Sequence, residues 1–213
     1  SDVAGEIVGW GPGVDGLTVG DRVMVLPGLS CGHCSACLTG RDHLCATYGI
    51  LGETHPGGMA ELLVVPRANV IATPERFSHA EAAAVSLTFL TAWHMLVARA
   101  ELTGGDVILV QAAGSGVGSA AIQIARYIGA TVLATVGSED KRDAALALGA
   151  HHVINYREQD LITEVKAITG KRGVDVVAEH VGGKTFEASL RCLAWGGRLV
   201  TCGATTGVQA QVN

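Results

Sequence analysis

The sequence predicts a mixed α/β protein in which a doubly wound parallel sheet fills the larger, C-terminal part and a piece of a smaller β domain precedes it. Three observations carry that prediction. From Ser78 onward, helix-length apolar stretches alternate with short β-branched runs, DVILVQ, TVLATV, HHVIN, VDVVAEH and GRLVTCG; this alternation gives a parallel sheet covered on both faces. Residues 1–75 instead hold short runs, GEIVGW, DRVMVLP, AELLVVP and NVIATP, broken by Gly, Pro and Asp, which read as short antiparallel strands. The 29 glycines in 213 residues are about twice the usual share of roughly 7%. They are scattered at turns without a repeat, as tight strand-to-helix connections require. The polar segment TPERFSH, residues 73–79, separates the two parts, so the expected domains are 1–75 and 76–213.

With 48% hydrophobic residues the chain can bury a sizeable core. A net charge of -5 gives no electrostatic reason to bind nucleic acid or an anionic membrane, and neither is an expected partner. The longest run free of charge and glycine, Ala82–Ala98, contains Ser86, Thr88, Thr91 and His94 and falls short of the roughly 20 residues that span a bilayer. It reads as a buried helix beside a ligand cleft. No basic segment followed by an apolar one opens the chain, and the expected compartment is the cytoplasm. Because residue 1 enters mid-pattern and the last residues follow a strand-like run, the chain is expected to be a fragment of a longer protein.

Four of the six cysteines fall in CGHCSACLTGRDHLC, residues 31–45. Disulfides serve scaffolds whose core is too small, and this core is not. Zinc takes four soft or borderline ligands in a tetrahedron, and tight CxxC turns bring thiolates onto one ion. Cys31, Cys34, Cys37 and Cys45 would close such a shell, leaving no open position, so the ion would be structural. Redox dithiol chemistry and unligated thiols are the alternatives. Cys192 and Cys202 sit in apolar context and read as core residues.

The spacing CxxCxxCxxxxxxxC, preceded by GPGVDGLTVGDRV and followed by GGMAELLVVP, resembles the structural zinc lobe of medium-chain dehydrogenases/reductases, the zinc alcohol dehydrogenase and quinone oxidoreductase superfamily. The resemblance continues to the last residue. It implies a GroES-like barrel domain for the substrate, a Rossmann domain for a nicotinamide cofactor, a small-molecule substrate, and assembly as a homodimer or homotetramer.

DVILVQAAGSGVGSAAIQIARYIGA, residues 106–130, places a hydrophobic strand, a glycine-rich turn and an amphipathic helix in succession. A dinucleotide diphosphate requires that order, because glycines allow close backbone approach and the helix N-terminus offers free amide donors. The text is not a literal GxGxxG; its Gly114, Ser115, Gly116, Val117 and Gly118 resemble the variant of the quinone oxidoreductase branch. A turn shaped only for helix packing is the plain alternative. After the next strand, where an NAD-specific enzyme places an acidic residue, the sequence has Val136, Gly137 and Ser138. A small polar residue with nearby cations suits a 2′-phosphate, and NADP is expected ahead of NAD. By resemblance, Ser138, Lys141 and Tyr156 surround that phosphate; a solvated Lys141 and a merely packed Tyr156 are the alternatives. His180 and Val181, then Gly203 and Ala204, end later strands and would wall the cofactor; a purely structural His180 is weighed equally.

The resemblance also bears on a catalytic zinc. Of its three ligand positions, the first, a Cys, precedes residue 1, and the others fall at Ser1, where the family has His, and at Leu87, with Asp2 at the adjacent acidic position. Leucine cannot ligate zinc and serine is a poor ligand, so the expected reaction is hydride transfer from NADP(H) to a quinone, enone or other carbonyl compound, with Thr91 against the nicotinamide and no single catalytic acid assigned. A zinc-dependent alcohol dehydrogenase and a non-catalytic nucleotide-binding relative are the competing readings.

Overall fold

The computed structural model describes residues 1–210 and 212. Its contacts divide the chain into two compact units, Ser1–Leu87 and Thr88–Asn213.

In the first unit β1 (Val3–Glu6) pairs antiparallel with β2 (Arg22–Val25), and β2 with β5 (Val70–Ala72), so that Val25 faces Val3 on one side and Val70 on the other. Val23 and Val25 are buried while Arg22 is exposed and Met24 half-buried, the period-two burial of a one-sided sheet. A second ribbon, β3 (Gly28–Leu29) with β4 (Gly49–Ile50), brackets the cysteine segment and its short helix α1 (Ser35–Leu38). Asn69 ties the two ribbons together by donating through Nδ2 to the carbonyls of Leu26 and Gly28, at 2.8 and 2.6 Å. Two expected strands differ. GEIVGW contributes only its first two residues, because β1 starts at Val3 and ends at Glu6. AELLVVP joins no ladder among the described residues, and its Leu62 and Val64 face solvent.

Helix α2 (His79–Trp93) opens on a reciprocal cap: Glu81 N–H donates to Ser78 Oγ, and Ser78 N–H to Glu81 Oε2 at 2.8 Å. It runs on into a wider π-helical turn, His94–Arg99. The whole 21-residue helix, with an 18-residue stretch of mean hydropathy 1.3, is long and apolar enough to cross a bilayer by length and composition, longer than the uncharged run alone suggests. It is not buried all round, since Leu90 and Trp93 are exposed; Ala92, Met95, Leu96 and Ala100 are buried in the core of the second unit.

That unit is a five-stranded parallel sheet in the order β10-β9-β6-β7-β8. The strands are β6 (Val107–Val110), β7 (Thr131–Val136), β8 (His152–Asn155), β9 (Val174–Glu179) and β10 (Leu193–Thr201). Helices α3 (Gly116–Ile128), α4 (Asp140–Ala147), α5 (Leu161–Ile168) and α6 (Gly183–Arg191) connect them. Alternate residues point to opposite faces. Ile108, Val110, Val132, Ala134 and Val176 join the layer packed with Ala120, Ala121, Ile122 and Leu96, whereas Leu109, Leu133, Ile154 and Val177 join Val165 and Cys192 on the other side. The near-continuous hydrophobic strands of the sequence are thus those of a sheet buried on both faces. Cys192 is a core residue as expected; Cys202 is not, because it stands just past β10 and is exposed.

Leu96 is completely buried on the helix that covers this sheet. Leu96→Ala is expected to destabilise the protein by about 2–5 kcal/mol through lost burial and a cavity, measured as a shift in the urea unfolding midpoint with unchanged slope.

Candidate functional site

Two places gather chemistry-bearing residues. In the first, the sulfur atoms of Cys31, Cys34, Cys37 and Cys45 all lie within 4.8 Å of one another. Cys34 and Cys37 are 3.5 Å apart, and Cys31 and Cys37 3.9 Å. Zinc–sulfur bonds of about 2.3 Å in a tetrahedron set sulfurs about 3.8 Å apart, so the thiols stand where a zinc shell needs them. The backbone prepares the site for negative charge: Cys34 N–H donates to Cys31 Sγ at 3.3 Å and Cys31 N–H to Cys45 Sγ at 3.5 Å. The latter bond, with the Thr47 hydroxyl, lowers the Cys45 thiol to about 6. At Cys34 the Cys37 N–H also favours the thiolate, but shared hydrogen bonding with Cys37 Sγ and partial burial outweigh it and push the thiol up to about 11. At Cys34 the neighbouring sulfur thus opposes ionisation; a dication would remove that penalty. The cluster is suited to a structural zinc, and all six cysteines are free of disulfides.

The second place lies at the carboxyl ends of β6, β7 and β9, where ligands bind in open parallel sheets. After β6 the chain turns through Ala112, whose φ of +50° lies in the left-handed region, to Ser115, which caps α3 by accepting from Gly118 N–H at 2.9 Å. Gly118 packs so closely that a methyl group there would sit 2.4 Å from the Ala112 carbonyl oxygen. Only glycine fits the crossing of turn and helix. Gly114 and Gly116 are exposed, and the side chain of Lys141 runs beside Gly114, where a methyl would meet its Cδ at 3.2 Å. A methyl at Gly116 would strike Thr88 Cγ2 at 2.7 Å, which sets the α2 segment bearing Thr91 beside the turn. The side chain of Val117 packs into the core. What Gly116 and Val117 present to a ligand is the pair of N–H groups in the first turn of α3, unused by the helix itself.

At the end of β7 the residues are Val136, Gly137 and Ser138. The Tyr156 ring lies on Gly137, where a methyl would meet its Oη at 2.5 Å, and Lys141 N–H donates to the Ser138 carbonyl. Ser138, Lys141, Tyr156 and the glycine turn therefore form one neighbourhood. Arg142 is turned elsewhere, donating to Glu139 Oε2 at 2.8 Å and to the Val153 carbonyl at 2.9 Å. From β9, His180 brings Nε2 within 2.8 Å of Ser115 Oγ. Gly203 packs beside the His180 backbone, and Thr205 Oγ1 donates to the His180 carbonyl. Val181 is half-buried, and its carbonyl accepts from Thr206 N–H and Oγ1. Ala204 lies against Gly182, where a methyl would meet its Cα at 2.7 Å.

Sequence reasoning missed the groups that hold these pieces. Glu179 is completely buried, and its carboxylate accepts from the N–H groups of His180, Val181 and Gly182 and from Thr185 Oγ1. Gln111 accepts from Thr135 Oγ1 at 2.8 Å and donates to Ser189 Oγ at 2.9 Å, while Ala112 N–H donates to Thr135 Oγ1. The signal was present: a lone glutamine and a lone glutamate ending apolar strands, DVILVQ and VDVVAE, are costly to bury unless bonded. Ser1 and Asp2 are exposed and Leu87 is half-buried. Among the described residues, only the four cysteines bring three or more metal-binding side chains together.

The family described as alcohol dehydrogenase GroES-like domain matches residues 1–75, and that described as zinc-binding dehydrogenase matches residues 116–213. A sorbitol dehydrogenase of Bacillus subtilis is 36% identical across all of this chain and 60% of its own length. Human quinone oxidoreductase is 31% identical over 96% of this chain and 54% of its own length. A crystal structure of an NAD-dependent alcohol dehydrogenase superposes with a TM-score of 0.93 at 50% identity, over 96% of this chain and 60% of that one. The chain thus spans between half and two thirds of the length of these relatives.

Two measurements check the two places. Gly118→Ala is expected to cost about 1–3 kcal/mol in urea unfolding, because the added methyl must displace backbone. Zinc content by elemental analysis is expected near one ion per chain, falling toward zero in Cys34→Ser.

Proposed function

Because the chain belongs to the medium-chain dehydrogenase/reductase superfamily, we propose that it serves an NADP(H)-dependent oxidoreductase that transfers a hydride to a quinone, enone or related carbonyl compound. The observation that carries this reading is the Ala112–Gly118 turn, whose glycine-permitted approach to the β6 strand end leaves backbone N–H donors for a diphosphate. The nicotinamide, when bound, supplies the hydride; the protein binds and orients it and keeps water from the reacting carbon.

Cofactor choice follows from charge at the end of β7. An acidic residue there would bind ribose hydroxyls and repel a 2′-phosphate, and the strand end carries Val136, Gly137 and Ser138 instead. Lys141 supplies a cation, Ser138 a hydroxyl and Tyr156 a phenol within one neighbourhood, a donor set that suits a phosphate. Glu139, the nearest carboxylate in sequence, is engaged by Arg142. For the substrate, the apolar Leu87 and the quinone oxidoreductase relative favour metal-free reduction. In this reading the four-cysteine zinc braces its lobe and takes no part in the reaction.

A second reading has its own support. The relatives named as sorbitol dehydrogenase and NAD-dependent alcohol dehydrogenase favour oxidation of an alcohol with NAD. Dinucleotide titration followed by nicotinamide fluorescence separates the two: NADPH is expected to bind more tightly than NADH, and Lys141→Glu to weaken NADPH by about tenfold or more while changing NADH little. Tighter binding of NADH by the unaltered chain would favour the second reading, as would turnover of an alcohol rather than of a quinone or enone.

A further inference from the structure

The contact between Ser115 and His180 is not needed to build either element, since Ser115 already caps α3 through Gly118 N–H and the His180 loop is already held by Glu179. It joins residues 65 positions apart across the mouth of the turn, with Ser115 Oγ 2.8 Å from His180 Nε2. On the reading that this turn takes a dinucleotide, we propose that His180 is a positioning residue for the diphosphate, setting through Nε2 whether the Ser115 hydroxyl hydrogen is free to donate to a phosphate oxygen.

Ser115 Oγ has one hydrogen, and one of its lone pairs is taken by Gly118 N–H. When His180 is neutral with its proton on Nδ1, the Nε2 lone pair takes the serine hydrogen and the hydroxyl is closed to a ligand. When Nε2 carries a proton it donates to Oγ, and the serine hydrogen is released toward the space in front of Gly116 and Val117, where the helix offers its own N–H groups. The imidazolium has hydrogens on both nitrogens, so it enforces the open arrangement and adds a positive charge beside the anion. His180 Nδ1 has no partner among the described residues, so nothing locks the closed tautomer.

The direction with pH follows. Burial disfavours the charged ring and the neighbouring Glu179 carboxylate partly offsets this, so the free protein holds His180 neutral at neutral pH and charges it only on the acid side. A diphosphate favours the imidazolium, and binding therefore takes up a proton and strengthens as pH falls. The titratable or charged groups on the elements that meet His180 are Glu179 on its own strand, Lys141 beside Gly114 on the turn, Cys202 after β10 and Lys184 at the start of α6. Among these only Glu179 moves the His180 equilibrium in this structure.

The test uses ADP-ribose, whose diphosphate stays fully charged across the range and which lacks the 2′-phosphate that itself titrates near pH 6. Calorimetry on the whole chain is expected to show binding about 3–10-fold tighter at pH 5.5 than at pH 8. His180→Asn, whose amide does not titrate, is expected to bind with the same affinity at pH 5.5 and pH 8. Ser115→Ala, which keeps the imidazole, is expected to bind more weakly and to lose most of it. A pH dependence that survives undiminished in either folded variant, or binding by the unaltered chain that is flat from pH 5.5 to 8, overturns the role of His180 and leaves the dinucleotide reading standing. Absence of ADP-ribose binding at any pH overturns both.

Discussion

The tightest glycine packing in the second unit is where Gly118 crosses the carbonyl oxygen of Ala112, and the rest of the turn is arranged around it. Any side chain at residue 118 would place its first carbon 2.4 Å from that oxygen, so α3 can begin directly over the end of β6 only because residue 118 is glycine. The turn is tightened further by Ala112, held at a positive φ that costs a non-glycine residue about 1–2 kcal/mol. What stabilises it is the sheet beneath: Ile108, Leu109 and Val110 have no exposed surface, and the Ala112 N–H is taken by Thr135 from the neighbouring strand. A strained connection on a fully buried strand is a rigid one. Rigidity here means that first-turn N–H groups of α3 stay aimed at one point before any ligand arrives.

Buried polar groups give the strand ends their relative positions. The Gln111 amide links Thr135 on β7 to Ser189 on α6, and the Glu179 carboxylate gathers three successive N–H groups of the loop after β9. Each atom of these networks would be expensive to leave unpaired in a site of low dielectric. Their effect is to hold β6, β7 and β9 in one register where the ladders end. On the proposed reading, affinity would come mostly from backbone groups, which any dinucleotide can use, and selectivity from a few side chains at the rim, Ser138, Lys141 and Tyr156, which the fold tolerates because they are exposed or half-buried.

Much of the second unit was legible because its signals are local. Five apolar runs became five strands, since a strand buried on both faces must be apolar throughout, and the glycine turn announced itself by its place between strand and helix. The cysteine spacing was legible for the same reason: all four cysteines lie within fifteen residues. What the text hid depends on partners far along the chain. AELLVVP has the composition of a strand, but pairing needs a neighbour, and among the described residues it has none. Cys202 sits in an apolar run and is nevertheless exposed, because β10 ends one residue before it. The pairing of His180 with Ser115 spans 65 residues, and no periodicity in either segment points to the other.

The two candidate places differ in what could hold them together, and this separates their roles. The second unit has burial to spare: its sheet is covered on both faces by two apolar layers. The cysteine lobe has almost none. Helix α1 is four residues long with no buried residue, Leu38 and Leu44 are exposed, and of the four cysteines only Cys45 is buried. A helix that short gains little from its own hydrogen bonds, so neither propensity nor the hydrophobic effect accounts for an ordered lobe at this point in the chain. Hydrogen bonds from N–H to sulfur orient Cys31, Cys34 and Cys45, but thiols crowded this closely repel one another once ionised. A dication resolves both difficulties at once, supplying the folding energy that burial does not and neutralising the charge that the geometry concentrates. With four sulfurs filling its shell, such an ion has no position left for a substrate oxygen, which suits it to bracing the lobe.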